Sequence, residues 1–452
     1  MLLKNVKNLF LGLLVIFSFL FNPSEVFGQV TIMKGNFRTT NDDGTQTITV
    51  KNDRQEFRIE YEGDISISDN DKEITAISKN GFIEIRNTRF GKRRRLFIES
   101  EGGQLTHRYY VGSREVDFNP DGKNWLAEIL PEIVRTTTIA AESRVERFYQ
   151  KGGANEVMNE VESIDSDYVK AAYVQILLKK NLSTKELVNI ISTIGKEIDS
   201  DHYLSQILKA NQKAFLASEQ TKTAYINAAK SLDSDHYTST IVKAIIDDSN
   251  INDEDMNSLL SITQGIDSDH YKSQILMSLM TERKLTKENM NTIMKMSREI
   301  DSDHYRSNIL RKALKMEGMS KENYEIFLNS LSEIDSDHYT SQIINELIVD
   351  NMNSEEITKL LNIVNRNLGS DHYAVNIYKK LAKNPNITEA QLIQLMELAS
   401  QNIDSDYYLS QILIAYAGKV KTSSQKVKDA YSKAAKSMSS DTYFGRAMKA
   451  LY

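Results

Sequence analysis

The 452-residue sequence contains no cysteine, only four prolines and a single tryptophan. The absence of cysteine excludes disulfide scaffolds, cysteine nucleophiles, thiolate zinc sites and iron–sulfur clusters. The few prolines, together with only 19 glycines, exclude collagen-like segments and long irregular linkers. The net charge of −6 speaks against a nucleic-acid-binding protein, so we expect no nucleic-acid partner.

The sequence also lacks the motifs of common catalytic sites. It contains no His-Glu-x-x-His, no Gly-x-Ser-x-Gly, no Walker loop and no Gly-x-Gly-x-x-Gly. Acidic pairs are frequent, but they recur with the repeat described below, which indicates a structural role. The sequence therefore predicts a protein that is not an enzyme and holds no cofactor.

The first 28 residues have the pattern of a secretory signal peptide. Lys4 and Lys7 precede an uncharged run over residues 9–21, which is too short to span a bilayer comfortably as a helix. Pro23 follows this run, and we expect cleavage after Gly28. The alternative is that this segment is not cleaved and anchors the protein in the membrane. The sequence thus predicts a periplasmic or secreted protein with no transmembrane span once the signal is removed.

Residues 29–119 are predicted to form a small antiparallel β domain. Polar and apolar residues alternate in runs such as 46–50 and 57–61, which indicates strands with one buried face. Asn80-Gly81 and Gly102-Gly103 are typical of turns between such strands. We expect six to eight hairpin-connected strands in a sheet or sandwich.

Residues 120–164 are predicted to be a helical linker that caps the region after it. Helical patterns cover residues 124–130 and 139–149, and Pro131 and Thr136-Thr137-Thr138 are expected to separate the two helices. Trp125 lies in the first pattern, where we expect it to pack the helix against the sheet.

A five-residue phrase, Asp-Ser-Asp-His-Tyr, is repeated at intervals of 34 residues. Identical copies begin at residues 199, 233, 267, 301 and 335, and degenerate copies begin at residues 165, 369, 404 and 439. Such recurrence marks a stacked array of two-helix units. We predict that residues 165–452 form an α-solenoid of eight full repeats and a truncated ninth. The fold class is therefore α+β, a small antiparallel β domain followed by an α-solenoid of 34-residue helical hairpins.

The phrase also predicts how the helices of each repeat begin and pack. Ser268 is expected to cap its helix, and Asp269 to lie at the positive end of the helix dipole. Tyr271 and the small residue Ser273 are expected to pack between repeats, with the tyrosine hydroxyl bonded to a polar group. The second helices start with capping pairs, which are Ser183 with Glu186, Asn252 with Asp255 and Thr388 with Gln391.

The histidine of the phrase occurs six times and raises the question of a metal site. The candidate ligands are Asp199, Asp201, His202, Asp267, Asp269 and His270. Neighbouring helices pack at about 8–10 Å, whereas ligands of one zinc ion lie within about 4 Å of each other. Tyrosine also replaces the histidine in two copies. We therefore favour packing or capping over metal binding, while the six imidazoles would also suit a response to pH.

A basic cluster lies on one predicted hairpin of the β domain. Its residues, around Gly91, are Arg86, Arg89, Lys92, Arg93, Arg94 and Arg95. The usual explanation for such a cluster is a solvated turn. The alternative hypothesis is that the cluster contacts anionic envelope material or an acidic partner.

The helix start Ser-Asp-x-x-x-small-x-x-Leu, repeated every 34 or 35 residues, resembles helical repeats that follow the protease domain in some bacterial proteins related to BlaR/MecR-type antirepressor metallopeptidases. Two stretches resemble the segment before those repeats, namely 57–68 with 77–78 and 81–82, and 125–128 with 144–145. The resemblance covers most of residues 55–452. The zinc motif and membrane helices of those peptidases are missing here, so it implies no peptidase activity. It implies a free-standing envelope form of a module whose own role is unassigned.

The predicted function is that of a non-catalytic interaction or scaffold protein of the cell envelope. Its solenoid and β domain would bind a protein or peptide partner, because solenoids present extended concave faces. The alternative is a metal- or pH-responsive envelope regulator that uses the repeated Asp-Ser-Asp-His ladder. The sequence makes no prediction of the oligomeric state.

Overall fold

The computed structural model describes residues 30–32, 35–42, 44–51, 55–89, 92–247, 251–281, 285–316, 321–348 and 354–452. The predicted signal segment, residues 1–28, lies outside the described residues. The chain divides into two compact units, Met1–Glu186 and Leu187–Tyr452. The solenoid boundary predicted at residue 165 falls inside the first unit, because the first helix of the first repeat packs on the preceding helix. In the described part of the chain, no helix has the length and apolar character needed to cross a membrane.

The first unit is built on an antiparallel sheet, as the alternation predicted. Its strands are β1 (Val30–Ile32), β2 (Gly35–Asp42), β3 (Thr45–Lys51), β4 (Gln55–Glu62), β5 (Ile65–Ile67), β6 (Ile74–Ile77), β7 (Phe82–Arg89), β8 (Lys92–Glu101), β9 (Gln104–Val111) and β10 (Arg114–Val116). Eight of them form one sheet in the order β1-β2-β3-β4-β7-β8-β9-β10, and β5 pairs with β6 in a separate ribbon.

One face of this sheet is apolar and the other is charged. Ile59, Ile85 and Leu96 are paired across β4, β7 and β8 and are buried. Arg58, next to Ile59 in β4, points to the opposite face because successive side chains of a strand alternate. The apolar face is covered by α1 (Lys123–Thr136), so the β domain is a sheet packed on a helix.

Helix α1 contains the predicted Trp125 contact and continues beyond residue 130, where its predicted pattern ended. The Trp125 ring lies 5.5 Å from the ring of Tyr109, centroid to centroid, and is buried against the sheet. Of the two predicted separators, Pro131 is wrong, because α1 continues through it, whereas α1 does end at Thr136, at the start of the predicted Thr136-Thr137-Thr138 break. Proline inside a helix costs about 3 kcal/mol. Burial of Ile133 and Val134 beyond it offsets this cost, at about 1.5–3 kcal/mol per side chain.

Helical hairpins follow α2 (Ala141–Glu162), in agreement with the predicted solenoid. The helices of the array are α3 (Asp167–Leu177), α4 (Thr184–Glu197), α5 (Asp201–Ala210), α6 (Gln212–Phe215), α7 (Glu219–Ala229), α8 (Asp235–Ile246), α9 (Asp253–Gln264), α10 (Asp269–Leu279), α11 (Lys287–Arg298), α12 (Asp303–Leu314), α13 (Lys321–Leu331), α14 (Asp337–Leu347), α15 (Ser354–Asn367), α16 (Asp371–Lys383), α17 (Glu389–Asn402), α18 (Asp406–Lys421), α19 (Gln425–Lys436) and α20 (Asp441–Leu451). Each copy of the phrase starts the first helix of a hairpin, and α20 stands as the first helix of the truncated ninth. The α+β fold class and the helical repeats are confirmed.

The predicted caps of the second helices are also present. Asn252 and Asp255 form a reciprocal capping box at the start of α9, and Thr388 and Gln391 form another at α17. In each box a side chain accepts a backbone N–H that the helix leaves unpaired. The capping boxes therefore determine the first residue of α9 and of α17, and with it the end of the loop before each helix.

Candidate binding surface

A chain of hydrogen bonds links the first helix of one repeat to the loop before the first helix of the next. The carboxylate of Asp235 accepts the backbone N–H of Ser268 at 2.7 Å. The equivalent bonds join Asp201 to Ser234, Asp269 to Ser302, Asp303 to Ser336, Asp337 to Ser370, Asp371 to Ser405 and Asp406 to Ser440. We call these seven bonds the Asp links. They use a charged acceptor, which makes a stronger hydrogen bond than a neutral one.

The Asp links replace the serine cap that the sequence predicted. At Thr286 and Thr388, ψ is 162° and 160°, and each hydroxyl accepts the N–H three residues later. At Ser268 and Ser302, ψ is 115° and 112°, and the hydroxyl makes no such bond. The serine-cap prediction is therefore wrong for α10 and α12, whereas at α3 the Ser166 hydroxyl does accept the N–H of Val169, at 3.5 Å. The backbone N–H of Ser268 and that of Ser302 bond instead to the aspartate of the preceding repeat.

The histidines and tyrosines of the phrase form one continuous row of rings. The His270 ring lies 5.0 Å from the Tyr271 ring of its own repeat and 5.5 Å from the Tyr305 ring of the next. We call this row the ring ladder. In spatial order its rings are Tyr203, His202, Tyr237, His236, Tyr271, His270, Tyr305, His304, Tyr339, His338, Tyr373, His372, Tyr408, Tyr407 and Tyr443. The predicted packing of tyrosine between repeats is thus present.

Hydrogen bonds fix the imidazoles within the ladder. Nδ1 of His270 lies 3.1 Å from the hydroxyl of Tyr305, and its Nε2 lies 2.9 Å from the amide of Gln274. Nδ1 of His202 lies 3.2 Å from the hydroxyl of Tyr237. Partial burial lowers the pKa of His202 below its ordinary value. Both ring nitrogens of His270 are therefore engaged by protein groups.

The ladder lies on the surface despite this order. His202, His270 and the other four histidines of the phrase are exposed, and Tyr407, which takes the histidine position in its repeat, is 47% exposed. The first aspartate of the phrase is exposed too, as at Asp267 and Asp301. The surface of the second unit thus repeats one exposed imidazole and one exposed carboxylate in successive hairpins.

Four of the six residues considered as metal ligands, His202, Asp201, His270 and Asp269, make other hydrogen bonds. Asp201 accepts the backbone N–H of Ser234 at 2.5 Å, and Asp269 accepts that of Ser302 at 2.8 Å. Asp199, like Asp267, is exposed at the surface. Among the described residues, no three histidine, aspartate or glutamate side chains are grouped so that they could hold a metal ion.

The basic cluster of the β domain is divided between the two faces of its hairpin, β7–β8. Arg86 and Arg95 face Glu84, at 2.7 and 3.3 Å, and Glu84 is largely buried. Arg94 lies on the apolar face, with its guanidinium 5.9 Å from the centre of the Trp125 ring.

Only part of the basic cluster is therefore available to a partner. Lys92 and Arg93 are exposed. The side chain of Arg89 and the turn at residues 90–91 lie outside the described residues.

Sequence reasoning missed a buried ionic cluster in the first unit. Arg144 is fully buried, and its guanidinium bonds to Asp71 at 2.6 Å and to Glu160 at 2.8 Å. Burial would lower the pKa of Arg144, but the bonds to Asp71, the field of Tyr173 and the bond to Glu160 raise it overall. Arg147 also pairs with Asp71, at 2.7 Å. The cluster fastens the β5–β6 ribbon to α2 and α3, and no sequence motif marks it.

The fold and surface define an α+β protein with an array of helical hairpins. No family model matches the sequence, and no curated protein matches it either. A solved structure from work on the computational design of self-assembling cyclic protein homooligomers aligns with 69% of this chain and 92% of its own, at 10% identity and a TM-score of 0.11. A likeness at this level carries no argument about fold or function.

Proposed function

We propose that this protein is a non-catalytic scaffold that binds an extended protein or peptide partner along the ring ladder. The observation that supports this proposal is the exposure of the ladder. Buried apolar side chains and the Asp links already join the repeats. Imidazoles such as His270 and carboxylates such as Asp267 are exposed. They therefore contribute little buried area to the contact between repeats. A row of ordered, exposed groups that recurs with the repeat suits a partner that recurs at the same spacing.

The chemistry of the row indicates which partner would fit it. Exposed aspartates such as Asp267 and Asp301 attract cations, and tyrosine and histidine rings offer flat apolar faces. Helices in adjacent repeats pack at about 8–10 Å, and a polyproline II chain advances about 9 Å in each three-residue turn. An extended peptide with a basic residue at every third position would therefore meet the same groups in each repeat.

Peptides of defined sequence test this proposal. The full chain is titrated with a Pro-Pro-Lys repeat peptide and with a Pro-Pro-Glu peptide of equal length. We expect binding of the lysine peptide only, and weaker binding as salt rises. The triple change Asp267→Asn, Asp301→Asn and Asp335→Asn should weaken it. A matched control removes three exposed glutamates elsewhere, with Glu254→Gln, Glu288→Gln and Glu397→Gln. Equal affinity of the two triple variants would contradict the proposal.

The envelope location is part of the same proposal and rests on residues 1–28. N-terminal sequencing of the protein recovered from envelope or medium fractions should give Gln29 as the first residue. Recovery with Met1 from a cytoplasmic fraction would contradict it. The resemblance to the repeat region of BlaR/MecR-related proteins stays a prediction, as does the absence of enzymatic activity.

A pH-responsive regulator remains the second candidate. The observation that favours it is that imidazoles such as His202 and His270 each bridge two repeats through a tyrosine hydroxyl. A change in the charge of an imidazole would alter its bridge, because Nδ1 faces the tyrosine hydroxyl. Hydrogen exchange of the array at pH 5 and pH 7 tests it, and exchange that is unchanged between these conditions would count against regulation by pH. The hypothesis of a metal-responsive regulator is tested by measuring the metal content of protein purified without a histidine tag.

A further inference from the structure

The C-terminal end of the chain carries a positive charge that the rest of the protein lacks. Residues 419–452 contain eight lysines and arginines and only two aspartates, so their net charge is +6. Because the whole chain carries −6, the other 418 residues carry −12. This asymmetry concerns α19, α20 and the end of α18.

Most of these cations are exposed and unpaired with carboxylates. The exposed ones, which we call the basic end, are Lys421, Lys426, Lys433, Lys436, Arg446 and Lys449. In the fully described stretch 355–452, none of these six forms an ion pair with a carboxylate. Asp429, which lies among them, accepts a hydrogen bond from the amide of Gln425 at 2.9 Å. The field of the basic end is therefore not cancelled locally.

Aromatic and apolar side chains accompany the cations on α20. Tyr452 is 88% exposed, and Phe444 and Met448 are partly exposed. The guanidinium of Arg446 lies 5.4 Å from the centre of the Tyr443 ring. Tyrosine rings beside lysine and arginine are typical of surfaces at the headgroup level of a membrane, where long cationic side chains reach the phosphates.

We propose that the basic end binds the surface of an anionic lipid bilayer. Clustered lysines and arginines are attracted to anionic headgroups, and the attraction weakens within a Debye length. A bilayer is favoured over a nucleic acid because Phe444 and Met448 can enter the headgroup layer, whereas a phosphate backbone offers them no apolar contact. This contact is separate from the ring ladder, so its failure would leave the proposed scaffold function standing.

Vesicle flotation with matched variants tests the proposal. The full chain is mixed with vesicles of phosphatidylcholine, or of phosphatidylcholine and phosphatidylglycerol in equal amounts, at low and high salt. We expect binding to the anionic vesicles at low salt. The change of Lys426, Lys433, Lys436 and Lys449 to Gln should weaken it at least about tenfold. The control changes four other exposed lysines to Gln, namely Lys209, Lys213, Lys230 and Lys295, and gives the same net charge.

Two outcomes would overturn the proposal. One is equal binding by the two quadruple variants, which would show that net charge or the N-terminal apolar segment is responsible. The other is binding of the parent to duplex DNA but not to anionic vesicles. Acetylation footprinting provides an independent measurement, because anionic vesicles should protect Lys433 and Lys436 but leave Lys209 and Lys230 reactive.

Discussion

Asp269 accepts a hydrogen bond from the backbone N–H of Ser302 in the next repeat, with 2.8 Å between Oδ2 and the nitrogen. The aspartate also lies in the first turn of its own helix, where the helix dipole favours a negative charge. One carboxylate thus stabilises its own helix and fixes the loop before the next. Among the described residues, the second aspartate of seven copies of the phrase makes this bond to the next repeat.

The Asp links set the order in which changes to the phrase should destabilise the array. Asp269→Ala should lower the free energy of unfolding by about 1–3 kcal/mol, because the N–H of Ser302 loses a charged acceptor. Ser268→Ala and His270→Tyr should each cost less than about 0.5 kcal/mol. The Ser268 hydroxyl makes no cap, and Tyr407 already occupies the histidine position in its repeat. Urea denaturation monitored by circular dichroism measures all three.

The control for this series is Asp267→Ala, which removes an exposed carboxylate from the same loop. It should change stability by less than about 0.5 kcal/mol. Hydrogen exchange should accelerate at Ser302 in Asp269→Ala, because repeats contact only their neighbours and damage begins locally. If Ser268→Ala proves as damaging as Asp269→Ala, the role given to the Asp links is wrong.

Four cations of the basic hairpin should divide into a structural pair, Arg86 and Arg95, and an exposed pair, Lys92 and Arg93. Arg86→Ser with Arg95→Ser leaves the buried Glu84 without its ion-pair partners, and should lower stability by about 3 kcal/mol. Lys92→Ser with Arg93→Ser removes exposed charges and should cost less than about 0.5 kcal/mol. Thermal unfolding measures both double variants.

The exposed pair also provides the test of envelope contact. If the hairpin binds anionic material, Lys92→Ser with Arg93→Ser should weaken binding to envelope fractions, most at low salt. Because this variant keeps the bonds to Glu84, loss of binding could not be ascribed to unfolding. Binding that is unaffected at every ionic strength would leave the hairpin as a solvated turn.

Asp71 should make the first unit sensitive to acid. Burial would raise the pKa of this carboxyl, but the hydrogen bonds from Arg144 and Arg147 lower it overall. A carboxyl with a lowered folded-state pKa contributes stability above its unfolded value of about 3.9, and this contribution is lost as pH falls further. Asp71→Asn should therefore lower stability at pH 7 by about 3 kcal/mol.

The pH dependence distinguishes this effect from a packing defect. The difference between parent and Asp71→Asn should shrink as pH falls through 4, because the parent loses the same charge by protonation. Asparagine tolerates the positive φ of 57° at this position, so the backbone is not strained by the change. A difference that stays constant down to pH 3 would contradict the charge argument.

The parts of the fold that follow from local patterns could be predicted from the sequence. Strand alternation, the 34-residue period and the capping pairs depend on residues close together in the chain. The continuation of α1 through Pro131 could not be predicted, because the burial that offsets the cost of the proline involves the sheet. The Arg144 cluster joins residues from Asp71 to Tyr173, and no local signal marks such distant partners.

The candidate surface was predicted only in part for the same reason. The phrase indicated that Tyr271 packs between repeats, since its period alone brings equivalent residues together. The partner of Asp269 is 33 residues away and is a backbone N–H, which carries no residue identity that a sequence pattern could show. The basic end was overlooked because its cations are spread over three helices and form no continuous run in the sequence.

The first histidine of the ladder should titrate below the ordinary range for histidine. Partial burial lowers the pKa of His202, because its charged form is less well solvated there. The unfolded chain then binds more protons than the folded chain just below pH 6.5, so the contribution of this residue to stability is present above that pH and is lost as pH falls. NMR titration of the imidazole should give a pKa below 6.5. In His202→Gln, stability should fall less between pH 7 and pH 5 than in the parent, and an equal fall in both proteins would show that other groups cause the acid sensitivity of the array.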